Sequence, residues 1–248
     1  MTASVPTDGL VEALMGCARR ATLPFQEAER PRHFGTAFWY NHLIQATPRR
    51  DIFTQYLITA EALTTFDLAT FTVRPELGDP APSADILAIA DFRTAWTRLP
   101  ELGIALMPAA MLHAYADRKG WRWNTHEITD GLAARESDIA TIGRTPVEAY
   151  VLGHDVGEGQ EREQGLAVGA VVLDGRGRLR WNARMPVGCV GAPVFISVPV
   201  GGGQYRLVCL GVVLPGESDN EITPFDRIRT AVAAITPRPS RWWKRRKS

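Results

Sequence analysis

The residues that could do chemistry in this chain gather around one short stretch, PVGCVGAPVF at residues 186–195. Its glycines and proline are typical of a tight turn, because glycine permits positive φ and proline restricts its neighbour. The turn contains one side chain that can act as a nucleophile, the thiol of Cys189, and the next residue is Val190. Nucleophilic catalysis also needs a base and a group that orients that base. The candidate bases are the five histidines, His33, His42, His113, His126 and His154, each equally consistent with a structural role.

The composition is that of an ordinary globular protein. Of 248 residues, 45% are hydrophobic and 22% are charged, which suffices for a sizeable core. The 28 Lys and Arg nearly balance the 27 Asp and Glu, so a net charge of +1 gives no global field that favours nucleic acid or membrane.

The cysteines and the N-terminus bear on the compartment. Three widely separated cysteines without a C-x-x-C pair predict neither a zinc site nor a disulfide framework, so we expect no metal, no cofactor and a reducing compartment. The first twenty residues lack a basic start followed by an apolar run, and no window has the ~18 apolar residues of a membrane span. The expected localisation is cytoplasmic.

Strand-like segments flank a helical middle. Short stretches rich in β-branched and aromatic residues, such as FGTAFWYNHLI and YRLVCLGVVL, alternate with Pro, Gly and Asp and predict a mainly all-β fold. Residues 109–145 show helical spacing instead. The predicted organisation is an N-terminal helix and lead-in (1–33), a first β-barrel (34–108), a helical connector (109–145), a second barrel with a C-terminal helix (146–235), and a basic tail (236–248).

Three segments resemble, in the correct order, the active-site segments of trypsin-like (chymotrypsin-fold) serine proteases. QYLITAEAL is similar to LVTAAHC, DILAIADF to DIALLKL, and GCVGAPVF to GDSGGPVV. The framing segments FGTAFWY, AYVLGHD and LGVVL resemble the strands that surround those motifs. The resemblance covers roughly residues 34–235 and implies two six-stranded antiparallel β-barrels.

The resemblance also implies a catalytic centre whose reactive groups are missing. It assigns the histidine position to Ala62, the aspartate position to Asp85 and the serine position to Val190. Valine has no nucleophile and alanine has no base, whereas the backbone N–H groups of Gly188 and Val190 are expected to form the oxyanion hole. The resulting hypothesis is a degenerate, inactive member of the family, a pseudoprotease that binds a protein or peptide.

Two segments are predicted to contact that partner. The resemblance implies that Gly211, Val212, Val213 and Leu214 form a strand edge that accepts an extended peptide by β-augmentation. The tail combines basic residues with two tryptophans, a composition that suits disorder, nucleic-acid binding or an anionic membrane surface. The tail residues concerned are Arg241, Trp242, Trp243, Lys244, Arg245 and Arg246.

Two alternative functions stay open beside this one, and so does the role of two tryptophans in the connector. The chain could be an active peptidase that uses Cys189 or a misaligned nucleophile, although a shift by one residue would put Val190 where the turn needs glycine. It could be an adaptor that binds nucleic acid or membrane through its tail. In the connector, Trp121 and Trp123 are either core residues or anchors of an interface.

Overall fold

Within the described residues, the strands form two large sheets that follow one another along the chain and one small two-stranded sheet. The computed structural model describes residues 7–28, 34–82, 86–156, 162–202, 204–216 and 220–236. In chain order, the first ten strands are β1 (Thr22–Glu27), β2 (Phe34–Gln45), β3 (Ile52–Ala60), β4 (Ala69–Thr72), β5 (Gly78–Asp79), β6 (Ile86–Ile89), β7 (Thr97–Leu99), β8 (Ile104–Pro108), β9 (Arg122–Trp123) and β10 (Ile128–Thr129). The last six are β11 (Val147–Val156), β12 (Arg162–Leu173), β13 (Leu179–Trp181), β14 (Pro193–Gly201), β15 (Gln204–Val213) and β16 (Glu221–Pro224).

The second sheet is the closed six-stranded barrel that the sequence predicts. Its strands pair in the order β11-β12-β13-β16-β15-β14, each antiparallel to its neighbours. Because the barrel is closed, the last residues of β15 are paired along both edges of the strand. Strand β14 lies on one side and β16 on the other. The predicted mainly β double-barrel fold is confirmed.

The first sheet is a half-barrel that differs in detail from the predicted six strands. Seven strands lie in the order β6-β4-β1-β2-β3-β8-β7, and β10 from the connector pairs in parallel with β2. Strand β1 lies within the predicted lead-in, 1–33, but pairs with β2 and β4. Pro24 inside this six-residue segment hides its strand character in the sequence, although Leu23 and Phe25 are fully buried.

Four α-helices accompany the sheets in the part of the chain that the structure describes: α1 (Thr7–Ala18), α2 (Ala110–Arg118), α3 (Glu136–Ile139) and α4 (Phe225–Ile235). The apolar stripe of α1 buries Leu14 and Ala18 against the core shared with the second barrel. Helix α4 follows Pro224 and buries Ile228 and Val232, whereas Ile235 at its end stays 40% exposed. No helix in the described ranges is long and apolar enough to cross a membrane.

The connector tryptophans are part of the first half-barrel's core. Trp121 is buried, its ring centroid lies 4.8 Å from that of Trp123, and the Trp123 Nε1–H donates to the Leu112 carbonyl. Both rings join the aromatic cluster around Trp39. The core interpretation of these two residues is therefore the one that the packing supports.

Candidate functional site

The glycine-rich stretch forms a tight turn pressed against the first half-barrel. A 3₁₀ turn covers Val187–Cys189, and Gly191 follows at φ 83°, a conformation that favours glycine. A Cβ at Gly191 would also collide with Thr59 Oγ1 and with the Thr36 carbonyl oxygen. Glycine is required here by both its backbone angle and its neighbours.

Thr36 of β2 holds this turn in place. Its N–H donates to the Val190 carbonyl at 3.0 Å, and its hydroxyl donates to the Gly188 carbonyl at 2.7 Å. The same hydroxyl accepts the His154 N–H at 3.1 Å, while Thr59 Oγ1 donates to the Thr36 carbonyl at 2.8 Å. The turn of the second barrel is thus positioned by strands of the first.

The turns that contain the histidine and serine positions of the resemblance lie on either side of Gly35, at the seam between the first half-barrel and the second barrel. Ala62 lies exposed in the 3₁₀ turn Glu61–Leu63, which directly follows β3. A Cβ placed on Gly35 would collide with Leu63 Cδ1 and lie 2.9 Å from the Val190 carbonyl oxygen, so the two turns flank Gly35. Neither Ala62 nor Val190 has a side chain that can take up a proton or attack a carbonyl.

The sheet order argues against Asp85 as the orienting carboxylate. Asp85 itself lies outside the described residues, and the strand after it, β6, pairs with β4. The strand beside β3 is β8, with Ala60 opposite Ile104, and the Glu61 N–H donates to the Gly103 carbonyl at 2.8 Å. The residue that adjoins the Glu61–Leu63 turn is therefore Gly103, which has no side chain.

A signal in the sequence could have separated these two strands. A strand covered on both faces carries a continuous apolar run, whereas a half-exposed strand alternates. Residues 104–107 are all buried, but β6 alternates between exposed and buried positions. The run IALM was therefore the better candidate for the strand beside β3.

The predicted oxyanion hole is not assembled in this structure. The Val190 N–H donates to the Val187 carbonyl at 3.3 Å within the 3₁₀ turn. An oxyanion hole needs its donors free and aimed at one point. Because one of its two predicted donors is used internally, Gly188 and Val190 do not present a pair of N–H groups to the solvent side of the turn.

Cys189 is placed inside the second barrel and not in a cleft. Its relative exposure is 2%, and a Cβ on Gly153 of β11 would lie 2.6 Å from its sulfur. Such close packing requires glycine at position 153 and seals the thiol from substrate. The burial agrees with a small apolar core residue rather than with a nucleophile.

The described histidines are engaged away from the turn. Their ring partners are Tyr40 and Asp130 for His42, Gln55 for His113, Arg20 for His126, and Thr22 with the Arg162 carbonyl for His154. His154 lies nearest to the turn, but burial, reinforced by Arg74, lowers the pKa of its imidazole to about 3. His33 lies outside the described residues. None of the four described imidazoles is placed to deprotonate a group at position 189 or 190.

The predicted peptide-accepting edge, Gly211 to Leu214, is wrong in this structure. Gly211 pairs with Val194 on one side and Pro224 on the other, and Val212 pairs with Pro193 and Thr223. Val213 faces Ile222 in β16, and its N–H donates to the Ala192 carbonyl. The Leu214 N–H donates to the Glu221 carbonyl, and Asn220 Nδ2 donates to the Leu214 carbonyl at 2.7 Å. An incoming peptide would find this backbone already hydrogen-bonded, since the barrel closes over it.

A cavity of about 900 Å³ adjoins this segment instead. The turn Pro100–Gly103 forms one wall, the segment Leu214–Gly216 forms a second, and β13 and β16 supply the rest. Arg178 and Arg180 on its surface form ion pairs with Glu221 and Asp174 at 3.0–3.3 Å. The opening thus borders Gly103, beside the Glu61–Leu63 turn. The tail residues from Arg241 to Arg246 lie outside the described residues.

Comparisons with known proteins define the fold class. No family model and no curated protein matches the chain. Among solved structures, the crystal structure of Deg5 matches with a TM-score of 0.55 and 11% identity, over 94% of this chain and 99% of that one. The crystal structure of the Rv3671c protease from M. tuberculosis, in its active form, matches with a TM-score of 0.48 and 13% identity, over 96% and 91%.

The chain therefore has the trypsin-like double β-barrel fold. At the identity to Deg5, the likeness establishes the fold alone. Activity has to be argued from the residues at the seam.

Proposed function

We propose that this chain is a catalytically inactive protein of the trypsin-like fold, a pseudoprotease, that binds a protein or peptide ligand. The residues at the seam are the observation that supports the proposed inactivity. Ala62 lies in the turn whose Glu61 N–H donates to the Gly103 carbonyl, and Val190 lies across Gly35 from the same turn. None of these three residues has a side chain that can attack, accept a proton or orient a base. Removing nucleophile and base together abolishes nearly all acyl-transfer catalysis.

The cavity beside Gly103 supports the second half of the proposal. Its volume of about 900 Å³ falls at the upper end of the range for ligand sites. Leu102, Leu179 and Ile222 supply apolar surface, and the Arg178–Glu221 ion pair supplies a polar wall. Because the strand before Leu214 has both edges paired, the ligand binds through side chains in this cavity rather than by adding a strand.

The alternative of an active peptidase would require Cys189 to reach a substrate. The burial of its thiol against Gly153 opposes that role. The alternative of an adaptor for nucleic acid or membrane depends on the tail, and only the sequence of the tail supports it. Neither has an observation in the described residues that favours it over the pseudoprotease.

The inactivity is tested with covalent probes on the folded chain. A fluorophosphonate probe should label nothing, because Val190 carries no hydroxyl. A thiol probe should label the exposed Cys17 in the native protein and reach Cys189 only after denaturation. The Cys17→Ala variant is the control, since it should abolish native labelling. Fluorophosphonate labelling, or thiol labelling that survives in Cys17→Ala and disappears in Cys189→Ala, would overturn the proposal.

The binding is tested with peptides selected by display against the folded chain. The variant Glu101→Arg alters an exposed residue that lines the cavity, and Glu136→Arg makes the same change at an exposed residue of α3 outside its lining. We expect Glu101→Arg to lose most of the selected peptides and Glu136→Arg to retain them. Peptides that bind both variants equally would place the ligand elsewhere.

A further inference from the structure

Arg20, a half-buried arginine just after α1, has no anionic partner among the described residues. Arg20 follows the last turn of α1, and its Nη2 lies 2.9 Å from His126 Nε2. Arginine can only donate, so this imidazole nitrogen accepts and the ring is neutral, with its proton on Nδ1. Arg20 Nε and His126 Nδ1 are both buried and have no partner among the described residues.

Arg20 differs in this respect from the other half-buried arginines in the described ranges. Each of those donates to at least one oxygen atom of a carboxylate, an amide or a carbonyl group: Arg74, Arg98, Arg162, Arg178, Arg180, Arg206 and Arg229. A guanidinium withdrawn from water with only a neutral imidazole as partner is costly, because its charge is not compensated. Among the described residues, Arg20 forms no ion pair with an anion.

The surrounding surface has the shape and charge to accept one. Arg19, Arg20 and His126 line an open pocket of about 360 Å³ together with Glu12, Met15 and Gly16. Glu12 makes no ion pair with either arginine among the described residues, so the pocket keeps an excess of positive charge. Both arginines also lower the pKa of His126, after burial itself, which shows that their fields converge on the ring.

We propose that the pocket of Arg19, Arg20 and His126 binds an oxyanion, and a phosphate group in preference to a carboxylate. Planar guanidinium groups match the oxygens of both anions and hold them with paired N–H donors. Phosphate is preferred because its double charge compensates two guanidinium groups. This site does not depend on the proposed function and shares no lining residue with the cavity at Gly103.

The test is titration of the whole folded chain with inorganic phosphate at constant ionic strength, followed by the NMR signals of the His126 ring. We expect saturable shifts that chloride does not produce. Arg20→Gln should weaken binding by at least about tenfold, as expected for loss of charge-assisted hydrogen bonds. Arg118→Gln, at the exposed end of α2, removes the same charge elsewhere and should bind like the wild type.

The titrations also discriminate between ligand sources. Acetate should bind more weakly than phosphate, and tighter binding of acetate would overturn the preference. If phenyl phosphate binds more tightly than inorganic phosphate, the ligand of the pocket is a small phosphate ester. If the two bind equally, the ligand is the free anion. If Arg20→Gln is too unstable to assay, Arg20→Lys and Arg19→Gln take its place, both with weaker binding expected. Absence of saturable His126 shifts, or undiminished binding in these variants, would overturn the site.

Discussion

The seam between the two barrels has two sides that differ in their polar groups. On the outer side, Ala62 lies in the Glu61–Leu63 turn beside Gly103, Val190 lies across Gly35 from that turn, and none of the three has a polar side chain. On the inner side, Thr36 and His154 are buried and fully engaged, the former with the Gly188 carbonyl and the latter with Thr22. The polar groups of this seam therefore serve the docking of the barrels, as the proposed loss of catalysis requires.

From this contrast we expect substitutions on the inner side to lower the free energy of unfolding strongly. Substitutions on the outer side should change it little. The largest effect is expected for Gly191→Ala. Its φ of 83° and the collision with the Thr36 carbonyl should lower the free energy of unfolding by about 3 kcal/mol or more. Chemical denaturation measures it. Gly165→Ala in β12 has open space around its Cβ and is the control, and equal losses in both variants would contradict the role of the turn.

The second effect concerns the threonine that bridges the barrels. Thr36→Val removes the donor to the Gly188 carbonyl and the acceptor of the His154 N–H, leaving two buried groups unpaired. The free energy of unfolding should fall by about 2 kcal/mol. Thr97→Val, at an exposed position of β7, should change it by less than about 0.5 kcal/mol. If Thr36→Val changed the free energy of unfolding as little as Thr97→Val does, Thr36 would not hold the turn.

The third effect is a pH dependence that originates at His154. Its pKa falls to about 3 in the folded chain, because the ring is buried beside Arg74 and Arg162. The folded state therefore keeps this ring neutral while the unfolded state takes up a proton below about pH 6.5. Stability should fall as the pH drops below that value, by up to about 1.4 kcal/mol per pH unit from this group. His154→Gln should flatten the slope between pH 6.5 and 5 relative to wild type, and an unchanged slope would contradict the assignment.

The smallest effect is expected on the outer side. The double variant Ala62→His and Val190→Ser restores a base and a hydroxyl at exposed or half-buried positions. It should stay folded, with a midpoint of thermal unfolding close to that of the wild type. It should also remain unlabelled by a fluorophosphonate, because Gly103 offers no carboxylate and the Val190 N–H is engaged with Val187. Labelling of the variant would show that the rest of the centre is intact.

The sequence predicts those features that depend on local patterns. Apolar segments rich in β-branched residues identify the strands, and the glycines at 188 and 191 with Pro193 identify the turn. The amphipathic spacing of Leu10 and Leu14 identifies α1. Each of these signals lies within a few residues of the feature that it predicts.

The features that escaped prediction depend on which distant segments become neighbours. The alternation in DILAIADF identifies a strand, and only its contrast with the continuous apolar run IALM indicates that β8, and not β6, lies beside β3. The segment Gly211–Leu214 resembles a free edge until β16 is paired to it. The contact of Arg20 with His126 joins residues 106 positions apart, and no local pattern encodes it. Long-range pairing, and not residue type, limited the prediction of the site.

The central claim is that the fold persists without hydrolytic machinery, and peptide cleavage tests it most directly. A diverse peptide library incubated with the folded chain and analysed by mass spectrometry should show no cleavage above the background of a heat-denatured sample. The Cys189→Ala variant should give the same result, because the thiol is buried within the barrel. Cleavage by the wild type that is lost in Cys189→Ala would contradict the account and establish an active peptidase.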